Sequence, residues 1–325
     1  GVPPRIEMDI AAIQAQLDRR KPGQSDIVSA RKEEDKVEVL SGFFGGQTTG
    51  APICLVIYNK DAHSEDYSEL KDVFRPGHAD YSWWAKYGVR DWRGGGRASG
   101  RETVARVAAG AVARQILAHL GIRVTGHVVE IGGVHASLFD PQQIEKNSVR
   151  CADAVAAVRM IAVIKSAQDE GDSAGGVVEV RCIGVPVGWG DPVFGKLDAM
   201  LAGALMSIGA VKGVEIGDGF ELAKKRGSEA NDEMTPDGFV TNNSGGIIGG
   251  VSIGTEIVTR IAVKPTPSIH KAQRTVSTTG SAVTIEITGR HDPCIAPRLV
   301  PVAEAMVALV LVDAYLGQRA LVSQG

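Results

Sequence analysis

Arginine is concentrated in one stretch of this sequence. Residues 75–106, RPGHADYSWWAKYGVRDWRGGGRASGRETVAR, hold seven basic side chains (Arg75, Lys86, Arg90, Arg93, Arg97, Arg101, Arg106) and three acidic ones (Asp80, Asp91, Glu102), in a chain whose formal net charge is −3. A guanidinium forks two hydrogen bonds onto a carboxylate or phosphate. Glycines such as Gly94, Gly95 and Gly96 let backbone N–H groups approach an anion. Ser99-Gly100-Arg101-Glu102 reads as a capping box, so a helix start adds its dipole to the same place. The composition suits a polyanionic small molecule. A solvated basic loop ahead of a helix cap would read the same way, and one Gly-Gly-Gly run is a weak signal for nucleic acid.

Three further groups could take part. His78 sits in Arg75-Pro76-Gly77-His78-Ala79-Asp80. An imidazole among arginines favours its neutral form, a bound dianion favours the cation, and that balance suits a proton donor near neutral pH. A structural histidine is the alternative. Arg290-His291-Asp292-Pro293-Cys294 follows a strand pattern and sets an arginine and a carboxylate two apart, where both could face one ligand; an Asx turn before proline also fits. Lys264-Pro265-Thr266-Pro267-Ser268 offers a lysine and two hydroxyls in a stiff loop, which suits phosphate. Asn242-Asn243-Ser244-Gly245-Gly246 lacks the P-loop pattern, and no strand–G-x-G-x-x-G–helix unit points to a Rossmann site.

The elements that must position these groups follow from apolar spacing. Ile10, Ile13 and Leu17 predict a helix over 9–19, and 36–40 alternate as a strand. Residues 53–58 form a short run of β-formers. The helix opened at Ser99 should run to about Leu120, with Gly121 placed to stop it. Residues 177–183, 257–263 and 283–287 read as strands. Leu197, Leu201, Ala204, Leu205 and Ile208 mark a helix face, and 301–316 a final buried helix. Strands and helices mix without a βαβ period, which predicts α+β with antiparallel sheets. No linker or repeat divides the chain, so residues 1–325 are expected to form one domain.

Composition sets limits. Hydrophobic residues are 44% and charged residues 22%, enough for a large core, and the slight negative charge gives no global pull toward nucleic acid or membrane. Cys54, Cys151, Cys182 and Cys294 form no C-x-x-C pair, so neither a metal site nor a disulfide framework is expected. No apolar run approaches the roughly 20 residues of a membrane helix; the most apolar, 305–312, reads as core.

RPGHADYSWWAKYGVRDWRGGGRASGRET, AVKGVEIGDGFE, TNNSGGIIGG, KPTPSI and GRHDPC, in that order, with LDRRKPGQS near the start and GDSAGG at 171–176, resemble chorismate synthase of the compact bacterial type. The resemblance runs from Gly1 to about Arg319. It implies a shikimate-pathway lyase of aromatic amino acid biosynthesis. Such an enzyme converts 5-enolpyruvylshikimate 3-phosphate to chorismate and phosphate by 1,4-elimination, and it requires reduced FMN without net redox change. It also implies a β-α-β sandwich, with antiparallel sheets flanking a helical core. The implied assembly is a cytoplasmic homotetramer, supplied with reduced FMN by a separate, NADPH-dependent flavin reductase.

Carried over motif by motif, Arg20, Arg31, Arg75, Arg101 and Arg290 would hold substrate charge. His78 would protonate substrate phosphate or flavin, and Asp292 would assist C–H proton removal near flavin N5. Arg97, Ala98, Ser99, Gly209, Ala210, Gly249, Lys264, Pro265, Thr266, Pro267, Ser268 and Arg290 would contact FMN, Gly209 and Ala210 through backbone. Three departures matter. The family's G-E-S-H-G segment, with a second catalytic histidine, is not in this sequence, and the natural protein is expected to carry it. Its absence keeps open a binding protein of the same fold without catalysis. Asp26 stands where some relatives have arginine, which should weaken one anion contact. Gly100 stands where alanine is usual, which costs helix propensity rather than chemistry.

Overall fold

The apolar spacing near the start closes into helix α1 (Ile10–Arg20), capped by Asp9, whose carboxylate accepts from Ala11 N. Ile13, Leu17 and Arg20 share its buried face, so the helix end delivers an arginine inward along with its core residues. A computed structural model describes residues 1–25, 27, 34–59, 70–287, 289 and 291–321, with the side chains at 94, 95 and 97 outside that description. Arg31, Arg290 and Asp26 therefore lie outside the described residues.

Strands β1 (Val37–Ser41) and β2 (Cys54–Ile57) pair antiparallel, with Val37 opposite Ile57. Helix α2 (Asp80–Tyr87) ends on Gly88 in the left-handed conformation. Helix α3 (Thr103–His119) starts later than the capping box suggests. Ser99 caps only a 3₁₀ turn over Gly100–Glu102, its Oγ accepting from Arg101 N at 3.3 Å. Gly121, at φ 76°, stands just past the helix end, as expected.

Strands β3 (Arg123–Ile131) and β4 (Val134–His135) follow, then helix α4 (Ala154–Asp169), β5 (Gly176–Ile183), helix α5 (Leu197–Met206), β6 (Val211–Ile216) and β7 (Ile257–Val263). The hairpin of β8 (Gln273–Val276) and β9 (Ala282–Ile285) precedes the last helix, α6 (Ala296–Leu321). The main sheet has the order β4-β3-β5-β7-β6, with every pairing antiparallel, and the chain is α+β. Register aligns Val128 with Val178 and Val178 with Ile261, a row of buried side chains on one face. His127, Glu179 and Arg260 fall on the other, a polar face on which His127 and Glu179 are nonetheless buried, His127 against the Phe139 ring.

Helix α6 lies on the apolar face against β3 and β5 and packs on α3 and α5. Two contacts fix it. A Cβ on Gly110 of α3 would fall 2.2 Å from Ala305 Cβ, so these helices cross at backbone contact. Glu304, 2% exposed, accepts from the Gly126 amide of β3 and from Arg19 and Arg114. The helix extends beyond the expected 301–316 because Pro301 does not open it. The missing Pro301 N–H leaves the Pro297 carbonyl free, and Arg150 Nη1 donates to it at 2.7 Å. By length and composition α6 could cross a membrane, contrary to expectation, but 67% of its most apolar stretch is buried in the core. Cys151, Cys182 and Cys294 are buried free thiols, and Cys54 is an exposed one.

Candidate active site

Six segments meet around a cavity of about 740 Å³, within the usual size range of ligand pockets. They are the end of α1, the turn before α2, the turn before α3, the turn between α5 and β6, the loop after β7 and the approach to α6. Among the described residues its lining carries Arg20, Arg75, Arg101, Arg106, Lys264 and Arg298 against Glu102 and Asp292. His78 and His291 face it as well. The concentration of cations read in 75–106 is thus completed from α1, the β7 loop and α6.

The guanidiniums are held from behind. Asp35, buried at φ 47°, pairs through one oxygen with Arg20 Nη1 at 2.9 Å and through the other with Arg101. Arg20 also donates to Thr103 Oγ1 at 3.0 Å and to the Gly100 carbonyl. Asp80, 3% exposed, pairs with Arg75 Nε at 2.8 Å and Arg90 Nη1 at 2.9 Å. One carboxylate thus serves two guanidiniums in each case, which fixes their geometry. Burial opposes the charge on Asp80, but hydrogen bonds from His78 and Arg75 hold its carboxyl well below the usual carboxylate range. On the third side Arg106 Nη1 donates to Ser207 Oγ at 2.6 Å, and its Nε to Glu102 at 2.9 Å.

His78 Nδ1 lies 3.0 Å from Asp80 Oδ1 and 3.2 Å from Arg75 Nη2. Across the pocket Asp292 pairs with Arg298, whose Nε donates to the Arg20 carbonyl at 3.2 Å. The loop after β7 is tied at several points. Lys264 Nζ donates to the Gly77 carbonyl, Lys264 N to the carbonyl of Ala210 at 3.0 Å, and Ser173 Oγ to the Thr266 carbonyl at 2.7 Å. Burial and the nearby Lys212 push the Lys264 ammonium below its ordinary pKa. Ala210, at φ 73°, is a non-glycine residue in the left-handed region on the pocket wall. Thr266 Oγ1 is buried with no hydrogen-bond partner, although the cavity adjoins its residue.

Of the residues singled out by sequence, Arg20, Arg75, His78, Ala98, Ser99, Arg101, Gly209, Ala210, Lys264, Thr266, Pro267, Ser268 and Asp292 line this cavity. Pro265 and Gly249 do not, Gly249 standing in the tight turn between Ile248 and Val251. Arg97 contributes backbone to the 3₁₀ turn Arg93–Ala98. Arg298, Asp35 and the anchoring role of Arg90 were missed. Arg90 and Asp80 belong to the basic stretch and could have been paired there, whereas Asp35, in a run of charged residues, gives no local signal. Among the described residues no three metal-ligating side chains cluster.

Comparison with known proteins places the chain. The family model described as chorismate synthase matches residues 1–316. A chorismate synthase of Syntrophobacter fumaroxidans is 57% identical over 313 residues, covering 96% of this chain and 89% of that one. One from Methanosarcina mazei is 55% identical over 322 residues, covering 96% and 88%. A solved chorismate synthase crystal structure superposes with a TM-score of 0.78 at 33% identity, covering 98% of this chain and 86% of that one.

Proposed function

Because the chain belongs to the chorismate synthase family, and so forms chorismate from 5-enolpyruvylshikimate 3-phosphate, we propose that the cavity between α1, α3 and α6 is where it does so. The observation that carries this reading is the excess of cations around the cavity, with His78 and Asp292 on its lining too. A substrate bearing a phosphate and carboxylates needs such a surplus, fixed in advance, because preorganised donors cost no reorganisation as charge moves.

The family uses reduced flavin, and the residues here fit one. The orphaned Thr266 hydroxyl, the Lys264 ammonium and the Ser99 and Ala210 backbone supply polar groups along a cavity of suitable size. These residues, with Ala98, Gly209, Pro267 and Ser268, are assigned to FMN, and Pro265, Arg97, Gly249 and Arg290 join them on the family resemblance alone. When bound, reduced FMN lends electron density as phosphate leaves and recovers it afterwards. Arg20, Arg75 and Arg101, with Arg31 and Arg290, bind the anionic groups of the substrate. His78 gives a proton to departing phosphate or to flavin, and Asp292, oriented by Arg298, takes part in C–H proton removal.

The same family reading makes residues 1–325 one catalytic domain built as a β-α-β sandwich. A core cluster running from Met8 to Val312 and the contacts of α3 with both β2 and β3 support this. It also makes the protein a cytoplasmic homotetramer served by a separate flavin reductase. The test is anaerobic incubation of the full-length protein with reduced FMN and substrate, following phosphate. Release that requires reduced flavin supports the assignment; flavin binding without release would reduce the protein to a binder.

A further inference from the structure

Building on the reading of His78 as a proton donor, we propose that Asp80 is a positioning residue for it. Its carboxylate accepts Nδ1–H and leaves Nε2 as the ring nitrogen presented to the pocket. Two contacts at Nδ1 compete. Arg75 Nη2, at 3.2 Å, can only donate, whereas Asp80 Oδ1, at 3.0 Å, can only accept while ionised. The ring nitrogen cannot answer both.

The rest of the cluster decides between them. Arg75 Nη2 already donates to Asp80 Oδ1 at 3.0 Å, while Arg75 Nε and backbone N donate to Oδ2 at 2.8 and 3.2 Å. Arg75 therefore needs no acceptor from the imidazole, and the carboxylate, ionised between two guanidiniums, is the stronger partner for an N–H. Among the described residues the ring has no further hydrogen-bond partner, so Nε2 is not committed to the protein.

The frame is stiff. Asp80 is the first residue of α2. Arg90 pairs with it while donating through Nη2 to the carbonyls of Leu70 and Val73 at 2.6 and 3.3 Å. The Arg90 guanidinium also lies over the Phe74 ring, 5.7 Å from its centroid. Asp80 itself does not line the cavity, so it acts through His78 and Arg75 and not on the ligand. A carboxylate in this place fixes tautomer and ring direction, which a donor needs before its proton is of use.

The test begins with the unmutated, full-length protein, labelled with ¹⁵N-histidine. Long-range ¹H–¹⁵N spectra, with His78 assigned by the signal lost in His78→Gln, should show the neutral ring protonated at Nδ1. Protonation at Nε2 would overturn the proposal, whether or not any variant folds. In Asp80→Asn that preference should relax, with kcat lower on the order of 10²-fold, while any rise in KM reports the Arg75 contact to the same carboxylate. A folded Asp80→Asn with wild-type kcat and tautomer would overturn it as well. His78→Gln keeps the two readings apart. Wild-type turnover in that variant would remove the donor role of His78, and the catalytic part of this proposal with it. Nδ1 protonation would then still show that Asp80 fixes the ring.

Discussion

Asp35 Oδ2 lies 2.9 Å from Arg20 Nη1 with both side chains out of solvent, and its other oxygen takes Arg101. A single carboxylate thus aligns two guanidiniums contributed by α1 and by the turn before α3.

Asp35→Ala should lower stability by about 3–5 kcal/mol, because it removes one partner of the buried Arg20–Asp35 ion pair. Denaturant melts would show this. Arg101→Ala, removing the more exposed partner, should raise KM while kcat stays near wild type. An unchanged KM would take Arg101 out of substrate binding.

His78→Ala should cut kcat on the order of 10²-fold or more while the thermal melt is unchanged. Asp292→Asn should slow turnover while FMN, titrated by fluorescence, still binds. Wild-type rates in either variant would cancel the role given to that residue.

Gly110→Ala should destabilise by about 1–3 kcal/mol, since the new methyl would meet Ala305 Cβ at 2.2 Å and its Cα at 2.4 Å. Gly203→Ala in α5 is the control. No atom lies within 4 Å of its added Cβ, and the helix should gain about 0.5–1 kcal/mol. Equal melting points for the two variants would mean that α3 and α6 do not cross as described.

His127 sets part of the acid limit of stability. Burial foremost, with Arg181 adding to it and Glu179 opposing, lowers its pKa from 6.5 to about 4. The unfolded chain takes up this proton below about 6.5 and the folded one only near 4, so stability falls as pH drops across that window and is unaffected above it. His127→Gln should flatten that part of the stability–pH curve. A curve of unchanged slope would assign the loss to other groups.

Much of this was legible in the sequence because it is local. The apolar spacing of Ile13 and Leu17, and the alternation over 257–263, are properties of neighbouring residues, and the structure forms a helix and a strand there. The clustering of Arg75, His78 and Arg101 on one cavity was also anticipated. What escaped depends on distant partners. Nothing near Asp35 announces that α1 and the turn before α3 will both bring arginines to it. Pro301 looked like a helix start because the side chain that answers the freed carbonyl, Arg150, lies far away in sequence. Ser99 carried a sound capping signal, but Gly100 follows it, and only a 3₁₀ turn forms before the α-helix begins.

The cations that line the cavity, Arg20, Arg75, Arg101, Arg106, Lys264 and Arg298, should draw small oxyanions onto its wall before any substrate arrives. Sulfate or inorganic phosphate in the medium should therefore settle there and slow catalysis competitively. Released product should do the same as it accumulates, so initial rates taken in zwitterionic buffer should exceed those taken in phosphate.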